Sequence, residues 1–125
     1  MTGTQTPLAR VEGLGAAHSG TGHFWRQRVS AVALIPLSAW FVYAALALVG
    51  ADREAAVALL HQPVNAIAMA FFAIATLHHS VLGLRVVIED YVHTEGWKIV
   101  LLLFSQLLAW ILGAVSLFAL VKIAL

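Results

Sequence analysis

The chain has no cysteine. Disulfides, thiolate zinc sites, iron–sulfur ligation and cysteine nucleophiles are therefore excluded within it. Charge is scarce too. Asp, Glu, Lys and Arg make up 10% of the 125 residues, against about 25% in an average soluble domain. The net charge of +1 says little by itself. Hydrophobic residues account for 62%, and the mean hydropathy is +0.92. A soluble domain of 13.4 kDa cannot bury that much apolar surface, because small chains have a poor surface-to-volume ratio. This argues against a soluble enzyme domain, a nucleic-acid binder and a disordered tail. The sequence reads as an all-α integral membrane protein.

Residues 1–24 lack any apolar run and hold five of the nine glycines. A secretory signal peptide needs an apolar stretch of roughly 7–15 residues, so the expectation here is a retained cytoplasmic tail. Residues 25–125 form the expected membrane domain, with helices at about 25–50, 63–92 and 97–124 around apolar spans at 29–49, 64–88 and 99–124. Each span is long enough to cross a hydrocarbon core of about 30 Å as a helix. Gly50, Asp52, Arg53 and Glu54 end the first span, and Pro63 suits the first turn of the next helix. Pro36 falls inside the first span, where a kink is expected. Arg10, Arg26, Arg28, Arg85 and Lys98 collect at one side, against Arg53 and Lys122. Lys and Arg favour the cytoplasmic face. The N-terminus and the turn after Tyr91 are thus expected in the cytoplasm, and the C-terminus in the periplasm.

The second span carries His78 and His79 in adjacent positions. Ionisable groups inside a membrane are costly and mark candidate functional sites. Adjacent helix positions face different stripes, so the two histidines cannot serve one metal from one face. His79 and Asp90 lie eleven residues apart, which is about 20° past three full turns and about 16 Å along one face. Gly83, one turn from His79, removes a side chain from that face. From spacing alone, His79 is either the hydrogen-bond partner of a neighbouring helix or an axial ligand to haem through Nε2. Gly83 is either a helix-packing notch or a slot for the macrocycle. Arg85 and Glu89 form an i, i+4 pair. Trp25 and Trp97 suit interfacial anchoring, and His18, His23, His61 and His93 are expected to be solvated near the surface.

His79-xxx-Gly83 followed by Asp90-Tyr91 resembles the small hydrophobic membrane anchor of succinate dehydrogenase (complex II). The stretches 6–15 and 22–37, with Gly22-His23-Phe24-Trp25-Arg26-Gln27-Arg28, resemble its alphaproteobacterial form. The resemblance covers essentially the whole chain. It implies three transmembrane helices that join a partner anchor in a multi-helix, haem-binding bundle. It implies a succinate:quinone oxidoreductase in the bacterial inner membrane, whose partners are a flavoprotein, an iron–sulfur subunit and a second, cytochrome b anchor. It also implies haem b with His79 as an axial ligand to its iron, Gly83 packing against it and Arg28 near its propionates. Tyr91 and Asp90 then belong to the ubiquinone site. The chain has no flavin motif or cluster ligands, so it is expected to anchor rather than oxidise succinate. Alternative readings are a fumarate reductase anchor, a small transport subunit with His78, His79 and Asp90 as a proton path, and a structural anchor without cofactor.

Overall fold

The computed structural model describes residues 6, 8 and 20–125. Among the described residues the chain forms four helices: α1 (Gly20–Ala47), α2 (Arg53–His61), α3 (Pro63–Tyr91) and α4 (Glu95–Ala124). Of these, α1, α3 and α4 are long and apolar enough to cross a membrane. The expected tail at 1–24 lies outside the described residues apart from 6, 8 and 20–24, and Arg10 and His18 lie outside them as well.

The boundaries of the first helix differ most from expectation. The first helix starts at Gly20, earlier than 25, and ends at Ala47, earlier than 50. Its early start is held by local contacts. Arg26 Nε donates to the Gly22 carbonyl at 3.2 Å, and the Phe24 and Trp25 rings meet edge to face at 6.0 Å. Beyond Ala47 the backbone tightens into turns, with Leu48 N–H donating to Ala45 O and Ala51 N–H to Leu48 O. Gly50 follows at φ 76°, a left-handed conformation that is strained for residues with a Cβ. The helix runs through Pro36, whose missing N–H deprives the Val32 carbonyl of its usual partner.

The short α2 departs from the expected three-helix layout, because nine residues of mixed polarity carry little hydrophobic signal. Its ends are well specified. The Asp52 carboxylate accepts from Ala55 N–H at 2.9 Å, Glu54 lies in the first turn and His61 in the last. The Asp52 and Glu54 carboxylates suit the positive end of the helix dipole. Asn65 Nδ2 then donates to Leu59 O at 3.0 Å and to Gln62 Oε1 at 3.2 Å, tying α2 to the start of α3. Pro63 opens α3 as expected.

The arrangement is open. Helix α3 packs against both α1 and α4, while α1 and α4 do not pack on each other; α2 touches α3 and α4. Three antiparallel spans therefore form one layer with α3 in the middle. The start of α1, the end of α3 and the start of α4 share one end. Only 6–11% of each span's most apolar window is buried. Ala44, Leu82, Ile88 and Leu120 are the buried hydrophobic residues among those described. Such apolar faces need lipid or other helices against them, because the chain itself leaves them uncovered.

Candidate functional site in the seam between α1 and α3

On α1, His23, Gln27 and Ser30 recur at i, i+4 and i+7, one face of a helix. This face turns towards α3. Ser30 is 8% exposed, and its Oγ lies 3.0 Å from His79 Nδ1. The same hydroxyl donates to the Gln27 carbonyl at 2.9 Å. One turn along α3, Gly83 faces the Gln27 side chain: a Cβ built there would meet Gln27 Nε2 at 3.7 Å, an ordinary contact. The α1–α3 packing does not itself require glycine at 83, so the notch reading loses its support within this chain.

His79 is half-buried. The neighbouring-helix hydrogen bond is present, but it uses only one ring nitrogen. Nε2 makes no hydrogen bond among the described residues. Among the described residues, the buried side-chain atoms without a partner are His23 Nε2, Gln27 Oε1 and Thr76 Oγ1. His79 Nε2 is not among them and so reaches the surface of the chain. His23, expected to be solvated, is instead half-buried, with Nε2 buried and without a partner.

His78 faces elsewhere. It is exposed and lines an open groove of about 400 Å³ with Trp25, Arg26, Ser30, Phe71 and Ile74. No side chain hydrogen-bonds it among the described residues. Farther along the seam, Phe41 and Phe72 stack at 4.5 Å between centroids.

The polar groups at the shared end are exposed. Tyr91 closes α3 at 77% exposure. Asp90 is exposed beside it. His93 Nδ1 donates to the Tyr91 carbonyl at 3.1 Å. Arg85 pairs with Glu89 at 2.8 Å, in keeping with their i, i+4 spacing. Both side chains are about half exposed, so the pair adds little stability. Arg28 is exposed and makes no ion pair among the described residues; its guanidinium lies 5.1 Å from the centre of the Phe24 ring. That contact leaves its planar N–H fork available to an anion.

No group of three or more His, Cys, Asp or Glu side chains able to hold a metal ion occurs among the described residues. What the seam offers is one orientable imidazole with a free nitrogen. Nothing in the linear sequence pairs Ser30 or Gln27 with the histidine. A serine in an apolar run is common, and its partner lies 49 residues away. The i, i+4, i+7 recurrence of His23, Gln27 and Ser30 is the signal that could have found them.

Fold and site together define a class: a three-span membrane subunit with one hydrogen-bonded histidine in a helix seam. Residues 2–121 match the family of succinate dehydrogenase/fumarate reductase transmembrane subunits. The chain is 35% identical over 120 residues to the succinate dehydrogenase hydrophobic membrane anchor subunit of Paracoccus denitrificans, covering 96% of this chain and 92% of that one. It is 32% identical over 100 residues to the subunit so named in Rickettsia bellii, covering 80% of each. The succinate dehydrogenase membrane anchor subunit of Reclinomonas americana is 28% identical over 94 residues, 73% of this chain and 78% of that one. No solved structure matches significantly. The chain belongs to the succinate dehydrogenase/fumarate reductase transmembrane subunit family.

Proposed function

We propose that the chain is the small membrane anchor of a succinate:quinone oxidoreductase in the bacterial inner membrane. It holds a flavoprotein and an iron–sulfur subunit at the membrane together with a second, cytochrome b anchor. It binds haem b jointly with that anchor and contributes to ubiquinone reduction. The relatives in Paracoccus, Rickettsia and Reclinomonas are named for succinate dehydrogenase, which favours this over a fumarate reductase anchor.

The observation that carries the proposal is the 3.0 Å contact between Ser30 Oγ and His79 Nδ1. Histidines that ligate a metal through one nitrogen almost always commit the other to a hydrogen bond. His79 has that arrangement, with Nε2 free; His78 does not. Other residues support the reading. Gly83, one turn from His79, carries no side chain, and the nearest atom to a Cβ there would be Gln27 Nε2 at 3.7 Å. Arg28 supplies an unpaired guanidinium for propionates at the membrane edge. When bound, haem b supplies a one-electron carrier.

The work of the remaining residues follows from their chemistry. Tyr91 lies about 18 Å along α3 from His79. Its phenol donates a hydrogen bond to a quinone carbonyl oxygen, and that bond strengthens as the oxygen gains charge. The position at the helix end lets the isoprenoid tail stay in lipid. Asp90, exposed next to it, takes protons from water and passes them towards the same oxygen. The basic residues collected at this end favour the cytoplasmic side for it, where the soluble subunits dock, with the C-terminus in the periplasm. The chain itself performs no succinate oxidation.

Affinity purification of the tagged chain from its own host tests the proposal. Three other polypeptides should come with it, bearing flavin, iron–sulfur clusters and a b-type difference spectrum. Recovery of the chain without them, or of a complex lacking the b-type spectrum, contradicts it.

A further inference from the structure

Ser30 has a single hydroxyl proton and two polar neighbours. One is the Gln27 carbonyl three residues earlier, at 2.9 Å; the other is His79 Nδ1, at 3.0 Å. The carbonyl can only accept, and serine readily donates to a carbonyl one turn back along its own helix. With that proton committed, the contact to His79 is a hydrogen bond only if Nδ1 carries the ring proton and Ser30 Oγ accepts it. A neutral imidazole carries one N–H. Nε2 then keeps its lone pair. The opposite orientation, with Ser30 donating to Nδ1, breaks the bond to Gln27. It also puts the ring proton on Nε2, where it blocks coordination.

We propose that Ser30 is a positioning residue for His79: as a hydrogen-bond acceptor it holds the imidazole in the tautomer and ring orientation that leave Nε2 to ligate haem iron. This rests on the reading of His79 as an axial ligand and adds to it a residue on a different helix. Ser30 is buried, so water does not readily replace its oxygen. The donation from Ser30 to Gln27 polarises the hydroxyl and makes its oxygen a better acceptor. The accepted N–H makes the imidazole more basic, which favours the ferric over the ferrous iron. Ser30 thus sets both the retention of haem and its potential.

The test uses the purified four-subunit complex with Ser30→Ala, Ser30→Thr and His79→Ala. The readouts are haem per complex, the optical redox titration of the haem and its electron paramagnetic resonance g values. Ser30→Ala removes one oxygen and should leave assembly intact. Haem binding should weaken by roughly tenfold or more, the midpoint potential should move positive and the g values should change. Ser30→Thr keeps a hydroxyl able to make both bonds and should restore all three. His79→Ala should abolish the wild-type haem signature. If His79→Ala keeps that signature, the ligand reading fails and this inference with it. If His79→Ala loses it while Ser30→Ala keeps the wild-type potential and g values, the ligand reading stands and the role of Ser30 is overturned. Failure of Ser30→Thr to restore the potential also overturns it, since the proposal assigns the effect to the hydroxyl.

Discussion

Helix α3 packs against a neighbour on each side, and the two seams differ in chemistry. Towards α1 it meets Gln27 and Ser30, and Gln27 Oε1 is buried without a partner. Towards α4 it meets a mostly apolar surface. There Leu77 lies against Gly113, and Phe72, Leu112, Leu117 and Leu120 line a shallow groove with Thr76 and Ser116, Thr76 Oγ1 being buried without a partner. Association of helices in lipid rests largely on packing and gains little from hydrophobic burial. The α3–α4 seam is sufficient for that purpose. Each seam holds buried polar atoms without partners, so these do not set the two apart; what does is the hydrogen bond between Ser30 on α1 and His79 on α3, which the proposed ligand role of His79 requires.

Variants that affect one seam and spare the other sharpen this contrast. The largest effect outside the haem ligand is expected at the exposed end of α3. Tyr91→Phe should lower quinone reduction roughly tenfold or more, since a hydrogen bond to a charged group is worth about 1.5–3 kcal/mol. Haem content, and succinate oxidation with an artificial acceptor, should stay near wild type. An assay of both activities on one preparation checks this. Next is Gly83→Ala. The contact a Cβ would make with Gln27 is ordinary, so α1 and α3 should remain packed. A methyl group one turn from His79 should nevertheless reduce haem occupancy severalfold, read as haem per complex. Full occupancy in that variant would mean that no ring lies over Gly83. The smallest effect is expected in the other seam. At Gly113 a Cβ would meet Leu77 Cδ1 at 3.5 Å, again an ordinary contact. Gly113→Ala should change stability by less than about 1 kcal/mol, seen as a nearly unchanged dissociation temperature in detergent, with the haem spectrum untouched.

The spans, Pro63 at the head of α3 and the Arg85–Glu89 pair were legible because each rests on local rules: apolar run length, proline geometry and helical spacing. Helix α2 was not legible from hydrophobicity, although Asp52, Glu54 and His61 mark its ends. The site was half legible. An intramembrane histidine announces itself by its cost, and its spacing to Gly83, Asp90 and Tyr91 is written in one helix. Its hydrogen bond is not, because Ser30 reaches it from another span. The two readings that spacing left open for His79 prove compatible: one ring nitrogen meets the neighbouring helix, which leaves the other for a ligand.

The central claim is that His79, and not His78, presents a nitrogen to haem iron. Reduced-minus-oxidised spectra of the purified complex carrying His79→Ala or His78→Ala test it most directly. The account predicts that the b-type signal is lost or displaced in His79→Ala and retained in His78→Ala, with the subunits still associated in both. A retained signal in His79→Ala together with a lost one in His78→Ala would contradict it.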